Sequence, residues 1–252
     1  MLNRWSWLAL GVGAYLAFTL SSFPAGTAYA WFAPAGAGFS GIDGTLWSGR
    51  AAAGSVANLS LHDVRWTLRP LHLLLGRLAA DVEARLSDGF VSARVSASRS
   101  RVALSNVRGS TSIQTLRGVL PVSGVRGDAS VALDELELET GVLTTILGEL
   151  RLAKLEVAPF VPNGSRDLVP IGDYTVKFLD SDGNGIKASF ADSGGPLEVS
   201  GTLIVDARRA YTLDGLIKPR ADAPRQLVDG LSFITADPDA EGRRRLTLTG
   251  SL

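Results

Sequence analysis

The chain has 252 residues with 25 basic and 25 acidic side chains, so no net field recruits nucleic acid or an anionic surface. It contains no cysteine, which excludes disulfides, thiolate metal sites and cysteine nucleophiles together. Apolar residues make up 46% and glycines number 28, enough for a core in a chain with many turns.

The first segment is the most apolar. Between Arg4 and Asp43 no side chain is charged, and Trp5–Phe23 (WSWLALGVGAYLAFTLSSF) approaches the ~20 residues a helix needs to cross a bilayer. Trp5, Trp7, Tyr29 and Trp31 stand near its ends, where aromatic rings favour the headgroup level. Arg4 flanks one side and no positive charge follows until Arg50, which places the N-terminus in the cytoplasm. The expected organisation is a cytoplasmic stub and transmembrane anchor over 1–23, a Gly/Ala/Pro-rich spacer over 24–43, and an extramembrane β-rich domain over 44–252. A cleaved signal peptide remains open beside this, with Arg4 as n-region, Trp5–Leu20 as h-region and a small-x-small site at Ala28-Tyr29-Ala30.

Beyond the spacer the period is two. Val82, Ala84 and Leu86 alternate with Asp81, Glu83 and Arg85. The turn Ser87-Asp88-Gly89 follows, and then Val91, Ala93, Val95 and Ala97 alternate with polar residues, which predicts a hairpin. Similar alternation predicts strands at Tyr174/Val176/Phe178, Ile186/Ala188/Phe190, Tyr211/Leu213 and Leu246/Leu248. Apolar residues also fall at i, i+2, i+5 and i+7 in Leu59/Leu61/Val64/Trp66, Val131/Leu133/Leu136/Leu138 and Leu150/Leu152/Leu155/Val157. On a helix these positions scatter around the axis. On a strand they are two in-phase pairs separated by one extra residue, as a β-bulge supplies. Chance in an apolar-rich chain gives the same spacing, and in either case the segments are strands.

Three short helices are expected: Pro70–Arg77, with proline at a first helical position; a turn carrying Leu143, Ile146 and Leu147 between Gly141 and Gly148; and about Asp222–Phe233, capped by Asp222 with Leu227, Val228 and Leu231 inward. The expected fold is mainly β: a single transmembrane helix, then a large, largely antiparallel, curved sheet of ten or so strands. It is open or two-layered, with a few covering helices.

The candidate sites are weak. Asp180-Ser181-Asp182-Gly183-Asn184-Gly185 opens like a calcium loop, but Ala191 stands where the bidentate acid belongs, so it reads as a turn. His62 and His72, the only histidines, lack a metal spacing or a Gly-x-Ser-x-Gly elbow, and a hydrolase on Ser48 or Ser193 needs a histidine beside the serine. Glu135, Glu137 and Glu139 form the solvated face of a strand. Arg126-Gly127-Asp128 reads as a loop entering a strand beside Pro121 and Gly124, and Arg243-Arg244-Arg245 is a small basic cluster open to headgroups or an acidic partner. No catalytic residue, metal or cofactor is expected.

Gly41-Ile42-Asp43-Gly44-Thr45-Leu46-Trp47-Ser48-Gly49-Arg50-Ala51, soon after a lone N-terminal anchor, resembles the signature of the type II secretion system protein N family. So do Val64-Arg65-Trp66-Thr67-Leu68-Arg69-Pro70-Leu71, Leu75-Gly76-Arg77-Leu78, and Leu213-Asp214-Gly215-Leu216-Ile217-Lys218-Pro219-Arg220-Ala221. The resemblance implies an inner-membrane protein of a Gram-negative bacterium with a periplasmic domain, contacting other components of the secretion machinery and without enzymatic activity. The positions that carry over are Gly44, Trp47, Gly49, Trp66, Pro70, Gly215 and Pro219, read as structural: glycines at tight turns and tryptophans in the core. Two functional expectations follow: docking onto secretion components by sheet edges or loops, or binding of lipid in a groove formed by the curled sheet.

Overall fold

The computed structural model describes residues 4–33, 36–56, 58–73, 76–118, 124–158, 168–179, 185–206, 210–232 and 235–251. Two helices, α1 (Arg4–Ser21) and α2 (Ala25–Phe32), precede thirteen strands. These are β1 (Ala37–Gly44), β2 (Ser48–Val56), β3 (Leu59–Leu68), β4 (Leu78–Arg85), β5 (Phe90–Ala97), β6 (Arg101–Ser112) and β7 (Val125–Glu139). They continue as β8 (Val142–Val157), β9 (Val169–Leu179), β10 (Ile186–Gly194), β11 (Leu197–Val205), β12 (Ala210–Pro219) and β13 (Arg244–Ser251). A short helix α3 (Pro70–Leu73) follows β3, a 3-10 turn (Thr115–Gly118) follows β6, and α4 (Arg225–Leu231) follows β12.

All strands belong to one antiparallel sheet whose spatial order is the chain order, a thirteen-strand meander. At the usual strand spacing it is roughly 60 Å across. A 26.5 kDa globule exposes roughly 10,700 Å², whereas this chain exposes 16074 Å². The sheet is therefore open, and among the described residues no large side chain is wholly enclosed.

The expected hairpin closes with Arg85 opposite Phe90, and the Leu86 N–H donates to the Gly89 carbonyl. The i, i+2, i+5, i+7 pattern marks real irregularities. Asp63 (φ 46°) and Lys154 (φ 51°) are the extra residues in β3 and β8, each at a register shift. In β7 the shift falls between Leu133 and Glu135, with Gly148 (φ 133°) opposite Leu133. Asn106 (φ 52°) marks a fourth, in β6.

Several expectations are corrected. Leu143, Ile146 and Leu147 lie in β8, not in a helix, and Thr140-Gly141, both at positive φ, is the two-residue turn joining β7 to β8. The i, i+3, i+4 spacing arose because a bulge between the Glu137 and Leu138 pairings lets Leu143 and Ile146 share a face. Arg126-Gly127-Asp128 lies within β7 rather than in a loop, paired to β8 at a bulge. The stretch expected as a spacer carries α2 and β1: Ala-rich 25–32 winds a helix, and Phe39 and Ile42, three residues apart, reach the same cluster across Gly41 (φ 64°). The helix at 70 is described only as Pro70–Leu73, since 74 and 75 lie outside the described residues. The last helix starts after Pro224, not at an Asp222 cap. The loop Asp180–Asn184 and Pro121 also lie outside the described residues.

The N-terminal helix is 18 residues long. Arg4 and its glycine, serine, tryptophan and tyrosine residues dilute its apolarity. Among the described residues no helix is long and apolar enough to cross a membrane.

Candidate functional site

The candidate site is the apolar face of the sheet, built by register rather than by any local motif. Ala84 pairs with Val91, Val91 with Gly109, Gly109 with Val131, and Val131 with Leu150. The row continues through Val176, Phe190, Gly201, Gly215 and Leu246. Side chains directly opposite in an antiparallel pair share a face. One unbroken apolar row therefore crosses ten strands, β4 to β13. Phe190 lies over the two glycines: a Cβ at Gly215 would stand 3.0 Å from its Cζ, and one at Gly201 would meet the ring and lie 2.5 Å from the Asp214 carbonyl oxygen.

Among the described residues α2 and α4 cover this face at its ends, and Leu116 of the 3-10 turn packs on Ala129 and Leu155 between them. At the first end α2 lies beside β1. The Tyr29 ring meets Phe39 edge-on at 5.9 Å, and its hydroxyl donates to the Ala37 carbonyl (3.1 Å) and accepts from the Phe39 N–H (3.0 Å). Ala51, Val64 and Ala84 form the buried cluster beneath, with Phe39, Ile42, Leu61, Trp66 and Val91 packed against it. A cleft of about 240 Å³ remains between α2 and the strands, lined by Ala25, Tyr29, Phe39, Ile42, Leu46, Ala51, Val64, Trp66, Leu68 and Ala80.

The motif residues concentrate here. Gly44 (φ 94°) opens the β1–β2 turn, where a Cβ would stand 2.7 Å from the Ser48 carbonyl oxygen. Trp47 donates its indole N–H to the Leu20 carbonyl at 2.7 Å, and Leu46 donates to the Phe23 carbonyl at 2.8 Å, so the turn is bonded to the end of α1. Gly49 lies against Trp66, whose indole N–H donates to the Leu46 carbonyl at 3.2 Å. Pro70 begins α3.

At the far end Leu227 and Leu231 of α4 close a second cluster with Val169, Leu197, Val199 and Ile217. Here Gly215 lies in the apolar row and Pro219 pairs with Leu197. Arg220, next in the chain, donates to Asp192 Oδ2 at 2.7 Å, and Asp192 Oδ1 accepts the Val199 N–H at 2.8 Å. Asp192 keeps only 9% of its side chain exposed. Burial pushes its carboxyl up, but the Val199 N–H and the Arg220 guanidinium outweigh this and hold it below the ordinary range. Burial, with the Asp192 charge, raises the Tyr174 phenol to about 12, so it stays protonated and donates to the Ile171 carbonyl at 2.9 Å.

The other sequence candidates do not assemble. His62 is exposed on β3, and His72 lies in α3 with Nδ1 unpartnered. Ser193 meets Thr175 at 3.1 Å, and among the described residues no hydrogen bond joins a histidine to Ser48 or Ser193. Arg243 is held by Asp239 and Glu241, Arg245 by Asp214, and Arg244 bonds the Ala236 carbonyl, so the basic triplet is largely committed internally. Among the described residues no group of three metal-ligating side chains gathers.

Two polar clusters escaped sequence reading. Asp81 accepts from Arg69 and Arg94, each at 2.9 Å, bracing β3, β4 and β5 on the polar face. Burial raises the Asp81 carboxyl, but the hydrogen bonds from Arg94 and Arg69 and their charges leave it lowered. Asp88, read as a turn residue, reaches two strands along and accepts from Thr111, Ser112 and Thr115. Its hydrogen bonds, Ser112 first and then Thr111, lower it to about 2. The signal for Asp81 was an acid among strand residues, and for Asp88 an acid in a hairpin turn.

The sequence profile described as Type II secretion system (T2SS), protein N matches residues 35–247. A type II secretion system protein N from Aeromonas hydrophila is 28% identical, the alignment covering 97% of each chain. Another, from Vibrio cholerae serotype O1, is 27% identical over 87% of this chain and 86% of its own. No solved structure matches.

Proposed function

Because the chain belongs to the type II secretion system protein N family, we propose that it is a non-catalytic component of that machine, held at the inner membrane by its N-terminal segment, with the sheet in the periplasm contacting other secretion components. On α1, Trp7, Tyr15 and Phe18 are 63%, 69% and 71% exposed, so the chain itself does not cover this apolar helix. Its length of about 27 Å falls slightly short of the ~30 Å hydrocarbon core, a mismatch that local thinning accommodates. Retention is supported by the bonds from Trp47 to Leu20 and from Tyr29 to β1, which cleavage after Ala30 would remove. Mature protein starting at Trp31 would overturn the anchor. The motif residues Gly44, Trp47, Gly49, Trp66 and Pro70 serve this junction as scaffold, and Gly215 and Pro219 serve the opposite end.

Docking by strand addition is carried by one observation: the two sheet edges differ. Tyr29 caps the outward Ala37 carbonyl and Phe39 N–H of β1, whereas among the described residues β13 is bonded on its outer side at its start, where the Ala236 N–H donates to the Arg245 carbonyl. By antiparallel parity, Thr247 and Thr249 then point their backbone groups outward too. An extended strand from a secretion component fits there. Thr249→Pro removes an outward donor without breaking a bond to β12. In-membrane crosslinking should lose the partner while thermal stability holds, and an undiminished crosslink would refute edge docking.

The apolar row across β4–β13, half-buried at Val131, Leu150 and Val176 between its helix-covered ends, favours a second reading, a protein that binds lipid along the sheet. Extraction of lipid from purified protein tests it, and finding none would count against it.

A further inference from the structure

The cleft between α2 and the first four strands is roofed, small and almost wholly hydrocarbon; one of similar size, about 230 Å³, lies under α4, but the first adjoins the end of α1. We propose that it is a binding site for one aliphatic chain of a membrane lipid. The inference rests on the anchoring of α1 proposed above.

Its chemistry rejects a peptide. The two polar groups at the cleft are already used: the Tyr29 hydroxyl on the backbone of β1, and the Trp66 indole N–H on the Leu46 carbonyl. A polypeptide entering would leave its own N–H and C=O groups without partners. A hydrocarbon chain makes no such demand. Water gains nothing there either, since a buried water needs two to four polar contacts.

Its size selects one chain. An apolar cavity of about 150 Å³ takes a benzene, so 240 Å³ has room for on the order of eight to ten carbons. That is part of one acyl chain and too little for two side by side. The remainder has apolar surface to follow in both directions: the uncovered sheet face, and α1.

Position supplies the source. Leu46 lines the cleft while its N–H bonds the Phe23 carbonyl, and the adjacent Trp47 bonds the Leu20 carbonyl, two residues that end or follow α1. The cleft and the exposed apolar helix thus share one hairpin, and a bilayer surrounding α1 brings acyl chains to the cleft.

The test uses the full chain in phosphatidylcholine vesicles containing a phospholipid with a diazirine on one acyl chain, with adducts mapped by mass spectrometry after illumination. Adducts are expected on Phe39, Ile42 and Trp66 as well as on Tyr15 and Phe18 of α1. Ala51→Phe and Ala25→Phe, which fill the cleft from opposite walls, should lower the cleft adducts about tenfold, the equivalent of two methylenes left unburied, and leave those on α1 unchanged. Adducts on α1 with none in the cleft of the wild-type protein overturn the proposal, whether or not the variants fold. Absence of adducts from α1 as well refutes the anchor itself.

Discussion

Gly49 offers a test in which two ordinary expectations have opposite signs. It lies in a strand and outside the positive-φ region, so replacing it with alanine should stabilise by about 0.4–1 kcal/mol through the unfolded chain alone. The structure says otherwise. A Cβ at Gly49 would stand 2.8 Å from the Asp43 carbonyl oxygen and 2.9 Å from Trp66 Cε2, with Cζ2 nearer still. Neither neighbour can yield easily. Asp43 is fixed opposite Arg50 in the ladder, and the Trp66 ring is tied to the Leu46 carbonyl and packed on the Ala51, Val64 and Ala84 cluster. Overpacking of this kind costs about 1–3 kcal/mol, and at about 2–4 °C per kcal/mol for a chain of this size the melting temperature should fall by about 2–12 °C.

The assay is thermal unfolding of the full chain in detergent micelles, followed by far-ultraviolet circular dichroism. Gly38→Ala is the control, because the nearest atom to its Cβ is the end of the Ser55 side chain at 3.4 Å. Gly38→Ala should melt at or above the wild type and Gly49→Ala clearly below it. On a Trp66→Leu background the alanine at 49 should cost less, since the ring contact is gone and only the Asp43 clash remains. A Gly49→Ala melting point equal to that of Gly38→Ala would refute the packing account of the motif.

Asp88, lowered to about 2, contributes stability that is complete above its unfolded value of 3.8 and lost as pH falls through about 2. Because the residue is exposed, the contribution is about 1 kcal/mol after screening; Asp88→Asn should remove this part of the acid sensitivity, and an unchanged slope of melting temperature between pH 4 and 2 would refute it. Asp192→Ala leaves the Val199 N–H and the Arg220 guanidinium without their carboxylate, a loss of about 2 kcal/mol. Arg220→Lys should recover little of the native stability, because one guanidinium serves both Asp192 and the Gly195 carbonyl; a melting point equal to wild type would contradict that geometry.

Much of the fold was legible because a half-buried strand must alternate. Val82 to Ala97 announced a hairpin, and the spacing Leu150/Leu152/Leu155/Val157 announced a bulge that Lys154 supplies. Short apolar clusters were not legible: Leu143, Ile146 and Leu147 satisfy a helical turn and a bulged strand equally, and only pairing with Leu138, Leu136 and Glu135 decides. The candidate site was less readable still. Ala84 and Leu246 are far apart in sequence, and nothing local reveals that register puts them in one row. Gly215 read as a tight-turn glycine until Phe190 is seen lying over it and over Gly201. Tyr29 read as an interfacial aromatic or part of a cleavage site, because its bond to β1 depends on how α2 folds back.

The bulges explain how one face stays apolar across so many strands. A one-residue slip moves every later side chain to the opposite face. Most irregular strands meet this with a polar inserted residue: Asp63 in β3, Asn106 in β6, Asp134 in β7, Thr144 and Lys154 in β8 and Ser193 in β10, whereas the extra residue of β9 is Ile171, packed into the apolar clusters. Trp66, Leu104, Leu136 and Val157 then resume the apolar phase on the far side of the insertion. A surface destined for water would not need that phase kept, since misplaced apolar residues there cost little. With α2 and α4 covering the two ends and Leu116 of the 3-10 turn packed on a cluster of β7 and β8, phase maintained through these insertions is the physical reason to expect an occupant on the rest of the face.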